Sequence, residues 1–278
     1  MSQIASAGAL LDPPVDTVAH YPLVTLICAL VFVVVSAVVG IGYTLLTRSP
    51  LYFWTAVAGA TLYPFLVEPL GDHLIAVWYP SNHYIAATVF DRPMPWFVVL
   101  FYLAGIPLVS VAAWEIVRRG LPARVLIGLL IAVTILEIPI EMIANRLGWM
   151  RYYGNHATIV DVPIYCLVQN AGMFAVVAWV LAWLLPRTHG WRWLLVPFAV
   201  AATLPALALA GTFPAYIAIA THAGPALGWA AGLFSTILNA TIVTACVYSP
   251  PLQRFRSTTV PSPAEALGPA VSKPAEIE

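Results

Sequence analysis

The chain has 278 residues, 61% of them hydrophobic and only 9% charged, with 12 Lys+Arg against 12 Asp+Glu. A soluble domain carries about 25% charged residues, so this composition excludes an ordinary cytosolic enzyme, a disordered chain and a nucleic-acid binder, and points to a multi-pass membrane protein. The net charge of zero offers polyanions no basic patch. Ten Trp and twelve Tyr suit aromatic belts at two bilayer interfaces. Cys28, Cys166 and Cys246 lie far apart in apolar stretches, without metal-ligand or disulfide spacing.

A spanning helix needs about 20 mainly apolar residues, and seven stretches qualify. The first runs from Leu23 to Leu46; it lacks a basic n-region and is too long for a cleaved signal peptide. The second runs from Leu51 to Pro69, the third from Pro95 to Val117, and the fourth from Arg124 to Asn145. The fifth runs from Val162 to Leu185 and the seventh from Ala226 to Tyr248. The sixth, Leu194 to Ala220, is interrupted by Pro205 and Pro214, which leaves a re-entrant path open. The expected fold is all-α: a bundle of about seven transmembrane helices over 23–248, after an extracytoplasmic segment 1–22 and before a disordered cytoplasmic tail 249–278. No internal repeat is visible.

With seven spans the loops alternate sides. One side receives Arg92, Arg146 and Arg151; the other receives Arg48, Arg118, Arg119, Arg124, Arg187, Arg192, Arg254, Arg256 and Lys273. Nine positives against three predict the N-terminus outside and the C-terminus in the cytoplasm of a cell-membrane protein. Lys273 is the only lysine, so no span carries a retinal Schiff base. No phosphate-binding loop, GxSxG, HExxH or aspartate-rich diphosphate motif is present.

Acidic residues in hydrocarbon cost roughly 2.5–3.5 kcal/mol at a helix centre, so their positions carry information. Glu115 stands three residues before Arg118, the spacing of an interfacial ion pair. Glu68 and Asp72 lie at the outer end of the second span, Glu137 and Glu141 in the outer half of the fourth, and Asp161 opens the fifth. Glu137, Glu141 and Asn145 are spaced i, i+4, i+8 and share one helix face, which must turn inward. Pro139 between the acids removes a backbone donor and tends to kink the helix. Two carboxyls so placed can divide into a proton donor and a base. The bland alternative pairs one with Arg146 or Arg151 and lets the other bond backbone freed by Pro139.

Candidate catalytic residues are therefore Glu137, Glu141, Asp161, Glu68 and Asp72. Asn145, Tyr152, Tyr153, Trp78, Asn170 and Gln169 are candidates to shape or line a substrate cavity. Tyr152 and Tyr153 belong to an aromatic outer loop that either caps a pocket by cation–π contact or serves only as an interface belt. No metal and no organic cofactor is expected. A metal-dependent oxygenase using Glu68, Asp72, His73 and His156 is the weakest alternative.

The stretch from about Tyr63 to Asn170 resembles the AveC-like family, membrane proteins named after the avermectin spirocyclase. The resemblance rests on Glu68-Pro69, the run from Arg92 to Trp96, Glu137 to Glu141, Arg146-Leu147-Gly148, Tyr152-Tyr153-Gly154 and Pro163-Ile164-Tyr165, some two-fifths of the chain. It implies spiroketal formation by cyclising a dihydroxy-ketone in polyketide maturation. The shorter chain and the tail depart from the family pattern, and no catalytic residue is carried over from it. The architecture also looks like that of transmembrane terpene cyclases, which protonate an epoxide or alkene with buried acids. Both chemistries need a proton donor in a water-poor cavity. The expected partners are the bilayer and a lipophilic small molecule. A proton-coupled transporter or receptor-like bundle is the alternative of a different class.

Overall fold

A computed structural model describes residues 11–258. Lys273 and most of the predicted tail lie outside the described residues. The chain is mostly helical. Among the described residues six helices are long and apolar enough to cross a bilayer, as in a multi-pass membrane protein.

Helix α1 (Pro22–Thr47) presents Leu30, Val34, Val38 and Leu45 outward. That face is apolar along its length, in keeping with a helix long and apolar enough to cross a bilayer. Its inner side carries Ser36, whose hydroxyl donates to Ala104 O at 2.8 Å, while Tyr52 donates to Ser36 O at 2.6 Å. These bonds tie α1 to α2 (Leu51–Val57) and α4 (Trp96–Arg118).

The second predicted span is not a plain α-helix. After α2 the chain widens into a π-helix over Ala58–Val67 and continues as α3 (Glu68–Ile75), beyond the expected end at Pro69. Pro64 explains the widening: it lacks an N–H, and its ring would strike the carbonyl four residues earlier in a tight helix. Glu68 N accordingly bonds Tyr63 O, five residues back. Gly59 sits where a Cβ would run into the Tyr102 carbonyl, so this glycine lets the π-helix lie directly on α4.

Helix α5 (Ala123–Arg146) runs unbroken past Pro139, which faces outward and away from the acids. Helix α6 (Cys166–Leu184) is the central element, with 56% of its apolar window buried against 17% for α5. The sixth predicted span is three helices, α7 (Leu195–Ala201), α8 (Thr203–Gly211) and α9 (Phe213–Ala220). Pro205 and Pro214 fall in the first turns of α8 and α9, where the missing donor costs nothing. Helix α10 (Pro225–Val247) packs on α6 and α9. Helix α11 (Pro250–Thr258) occupies residues assigned above to the disordered tail, a correction to that expectation. It docks back by Arg254, which donates to Ala182 O at 2.6 Å.

Within this mostly helical fold the loops at the N-terminal end of the bundle are not irregular but form short strand pairs. Strand β1 (Val77–Trp78) pairs with β4 (Arg151–Tyr152), β2 (Ile85–Val89) with β3 (Arg92–Pro95), and β5 (Thr158–Ile159) with β6 (Val162–Pro163). Two of these hairpins turn on non-glycine residues with positive φ, Phe90-Asp91 and Val160-Asp161, so the usual glycine turn signals are missing. The N-terminal segment straps across the same end. Ala19 N donates to Asn82 Oδ1 at 2.9 Å, His20 N to Leu147 O at 2.9 Å, and Trp149 Nε1 to His20 O at 2.5 Å.

Candidate functional site

The predicted face of α5 forms. Asn170 on α6 places its side-chain nitrogen 3.0 Å from Glu137 Oε1 and 3.0 Å from Glu141 Oε1, donating to both carboxyls. The Tyr152 hydroxyl donates to Glu141 Oε2 at 3.3 Å, and Cys166 Sγ lies 3.8 Å from that hydroxyl. Burial holds the Tyr152 phenol well above its ordinary pKa, with Cys166 and Glu141 adding to the effect. It therefore stays a proton-bearing donor. Neither glutamate is within ion-pair distance of an arginine among the described residues; only Glu115 is, with Arg118 at 2.5 Å and Arg119 at 3.1 Å. The pairing of a glutamate with Arg146 or Arg151 does not occur there. Glu115 forms the interfacial pair its spacing predicts.

Glu68, at the start of α3, is held separately from this pair, with no hydrogen bond to either glutamate among the described residues. Its carboxylate accepts a hydrogen bond from Tyr79 at 2.6 Å and another from Tyr102. The two tyrosines were not among the sequence candidates. They come from β1's loop and from mid-α4, and no local spacing links them to Glu68.

Asp72 is one turn further out on α3 and is 2% exposed. A second buried group surrounds Arg92, which is 3% exposed although the sequence places it in a loop between spans. Arg92 donates to His73 Nδ1 at 3.1 Å and to the Tyr153 hydroxyl at 2.7 Å, and its guanidinium lies over the Trp78 and Tyr153 rings at 5.6 and 5.8 Å. Asp72 Oδ2, Arg92 Nε and Nη1, and Trp78 Nε1 have no hydrogen-bond partner among the described residues. The His73 ring is fully engaged: its Nδ1 accepts from Arg92, so its Nε2–H donates to Phe90 O at 2.7 Å. His156 instead packs against Gly228 of α10. Among the described residues no three His, Cys, Asp or Glu side chains are grouped to hold a metal.

Other sequence candidates take different places. Asp161 is exposed in the β5–β6 turn with φ 65° and joins neither group, because that turn projects it outward. Asn145 shares the predicted face, but it is buried and committed to backbone: its amide donates to Glu141 O at 3.0 Å and its oxygen accepts from Tyr152 N at 3.2 Å. It sets the position of Tyr152. Gln169 points away from the glutamate pair, toward Thr212 and Tyr216. It lines a cleft of about 340 Å³ between the π-helix, α3 and α7 to α9, whose other polar linings are Glu68 and Tyr216. That size is ordinary for a small-molecule site.

Compared with known proteins, the chain matches no family model, no curated protein and no solved structure.

Proposed function

We propose that the protein is a membrane-embedded, cofactor-independent, acid-catalysed cyclase of a lipophilic small molecule, of the AveC-like kind. One observation carries the proposal: Glu137 and Glu141 share a single amide donor, Asn170, at 3.0 Å each, with no cation paired to them among the described residues. Two carboxyls held together in a water-poor bundle favour one proton between them. The protonated member is a general acid and the ionised one a base. For a dihydroxy-ketone, the acid protonates the carbonyl oxygen while the base takes a proton from the attacking hydroxyl. A second closure at the same carbon expels the former carbonyl oxygen as water. Two C–O bonds form, the C=O is lost, and both carboxyls return to their starting states. Tyr152 steadies the charge on Glu141, and Glu68 with Tyr79 and Tyr102 gives the neighbouring wall its polarity.

In the same proposal the run from Leu51 to Ile75 is the second of seven crossings, and the N-terminal end of the bundle faces outside a cell membrane. The strapped N-terminal segment and loops 76–95, 147–165 and 221–225 gather at one end. Residues 118–122, 185–194 and α11 gather at the other, as an odd number of crossings requires. The positive-inside bias supports the orientation.

Purified protein in detergent, without any gradient, tests the activity. Conversion of a lipophilic dihydroxy-ketone to its spiroketal, with loss of water, is the expected result. A second reading, proton-coupled transport, is favoured by the broken α7–α9 helix, since interrupted spans are where transporters bind cargo. Gradient-dependent uptake into vesicles without any product would decide for it.

A further inference from the structure

We infer that the cleft between α3 and α8 is a ligand site open sideways to the bilayer, taking an apolar molecule through one acceptor oxygen bound by Gln169. Its mouth is lined by Leu66, Leu70, Phe198 and Leu209, all exposed on the lipid-facing side of their helices. Apolar walls of this kind bind by burying hydrocarbon, and the few polar groups inside fix orientation.

Gln169 is the group that fixes it. The residue is 1% exposed, lines the cleft, and its Nε2 has no hydrogen-bond partner among the described residues. An unmet buried amide donor costs on the order of 1–3 kcal/mol, so its persistence calls for a partner from outside the chain. The direction of the amide is set by a chain of bonds anchored on backbone. Asn239 Nδ2 donates to Ser235 O at 3.0 Å, and so its nitrogen faces that carbonyl. The same nitrogen donates to Thr212 Oγ1 at 2.8 Å. The Thr212 hydroxyl then donates to Gln169 Oε1 at 2.5 Å, and Tyr216 donates to the same oxygen at 3.2 Å. With Oε1 taken by two donors, the N–H side is what remains for a ligand. The complementary chemistry is a carbonyl or ether oxygen on an otherwise apolar molecule.

The site adjoins the acid cluster. Glu68 lines the cleft, and Asn170, the neighbour of Gln169 on α6, holds Glu137 and Glu141. That the molecule bound here is the one those acids act on rests on the cyclase reading; the binding itself does not.

Photolabelling tests it. The probes are a long-chain methyl ketone with a terminal diazirine and the matching alkane without the oxygen, used on detergent-purified protein with peptides read by mass spectrometry. The ketone is expected to label the stretches around Leu66 to Leu74 and Phe198 to Leu209. The alkane should label about tenfold less, as expected for losing one hydrogen bond of about 1.4 kcal/mol. Gln169→Leu should bring ketone labelling down to the alkane level. Leu209→Trp, at an exposed position on the cleft mouth, should block both. Equal labelling by alkane and ketone would make the cleft a groove for lipid tails and overturn the inference, as would labelling elsewhere. Should Gln169→Leu fail to fold, the ketone-to-alkane ratio and the Leu209→Trp block decide. Ketone labelling of the cleft in a wild-type protein that cyclises no dihydroxy-ketone would sink the cyclase reading and leave the cleft standing.

Discussion

At the scale of single residues, the chemistry depends on how each buried carboxyl is supplied with donors. Glu137 and Glu141 have Asn170; Glu68 has Tyr79 and Tyr102. Removing the Tyr102 hydroxyl leaves one carboxylate oxygen unmet in a buried place. Tyr102→Phe should therefore cost about 1–3 kcal/mol of stability, read as a lower unfolding temperature in detergent, and more than Tyr43→Phe, whose hydroxyl donates at 3.0 Å to Glu115, a carboxylate already paired with Arg118 and Arg119. Equal small losses would mean that Glu68 does not rely on Tyr102. The glutamate pair was legible in the sequence, because i, i+4 acids in an apolar run have only one face on which to lie. The Tyr79, Tyr102 and Arg92 partners were not, since each arrives from a different element. Asp161 misled for the opposite reason: an acid beside a span looks buried in one dimension, but a tight turn with positive φ throws it outward.

At the scale of elements, two irregular helices line the cleft: the π-helix around Pro64 and the broken run α7–α9. Hydrophobic runs gave both stretches their places. Their internal geometry was only half legible, because Pro205 and Pro214 announce breaks whereas a π turn has no composition of its own. Gly59 lets the π-helix touch the α4 backbone. Gly59→Val should push the two helices apart at a cost of about 1–3 kcal/mol or more, seen as a drop in thermal stability. Gly128→Val, where a Cβ meets nothing within 4 Å, should cost little beyond helix propensity. If both variants unfold alike, the close approach at Tyr102 is not what Gly59 provides.

At the scale of the whole molecule, one end is strapped and buried and the other is basic. The strapped end holds His83, 6% exposed, donating from Nε2 to Trp149 O at 3.0 Å. Burial lowers its pKa from 6.5, partly opposed by that bond. The unfolded chain therefore takes up the proton first. Stability from this residue is complete above pH 6.5 and falls as the pH drops from there through the lower folded value. His83→Gln, which can keep the donor, should flatten the fall in unfolding temperature on acidification. An unchanged slope would place the pH sensitivity elsewhere. The two-ended arrangement also predicts that cysteines introduced at Tyr84 and Gln253, in a background lacking the native three, react with impermeant reagent from opposite sides of sealed vesicles. Reaction from the same side would remove the odd number of crossings.

The most direct measurement of the central claim is turnover of a lipophilic dihydroxy-ketone by purified wild-type, Glu137→Gln and Glu141→Gln protein, with folding checked by elution and unfolding temperature. The account predicts product from the wild type, and a loss of at least about 100-fold in each folded variant, the usual worth of a positioned acid or base. Full activity in both folded variants would contradict it.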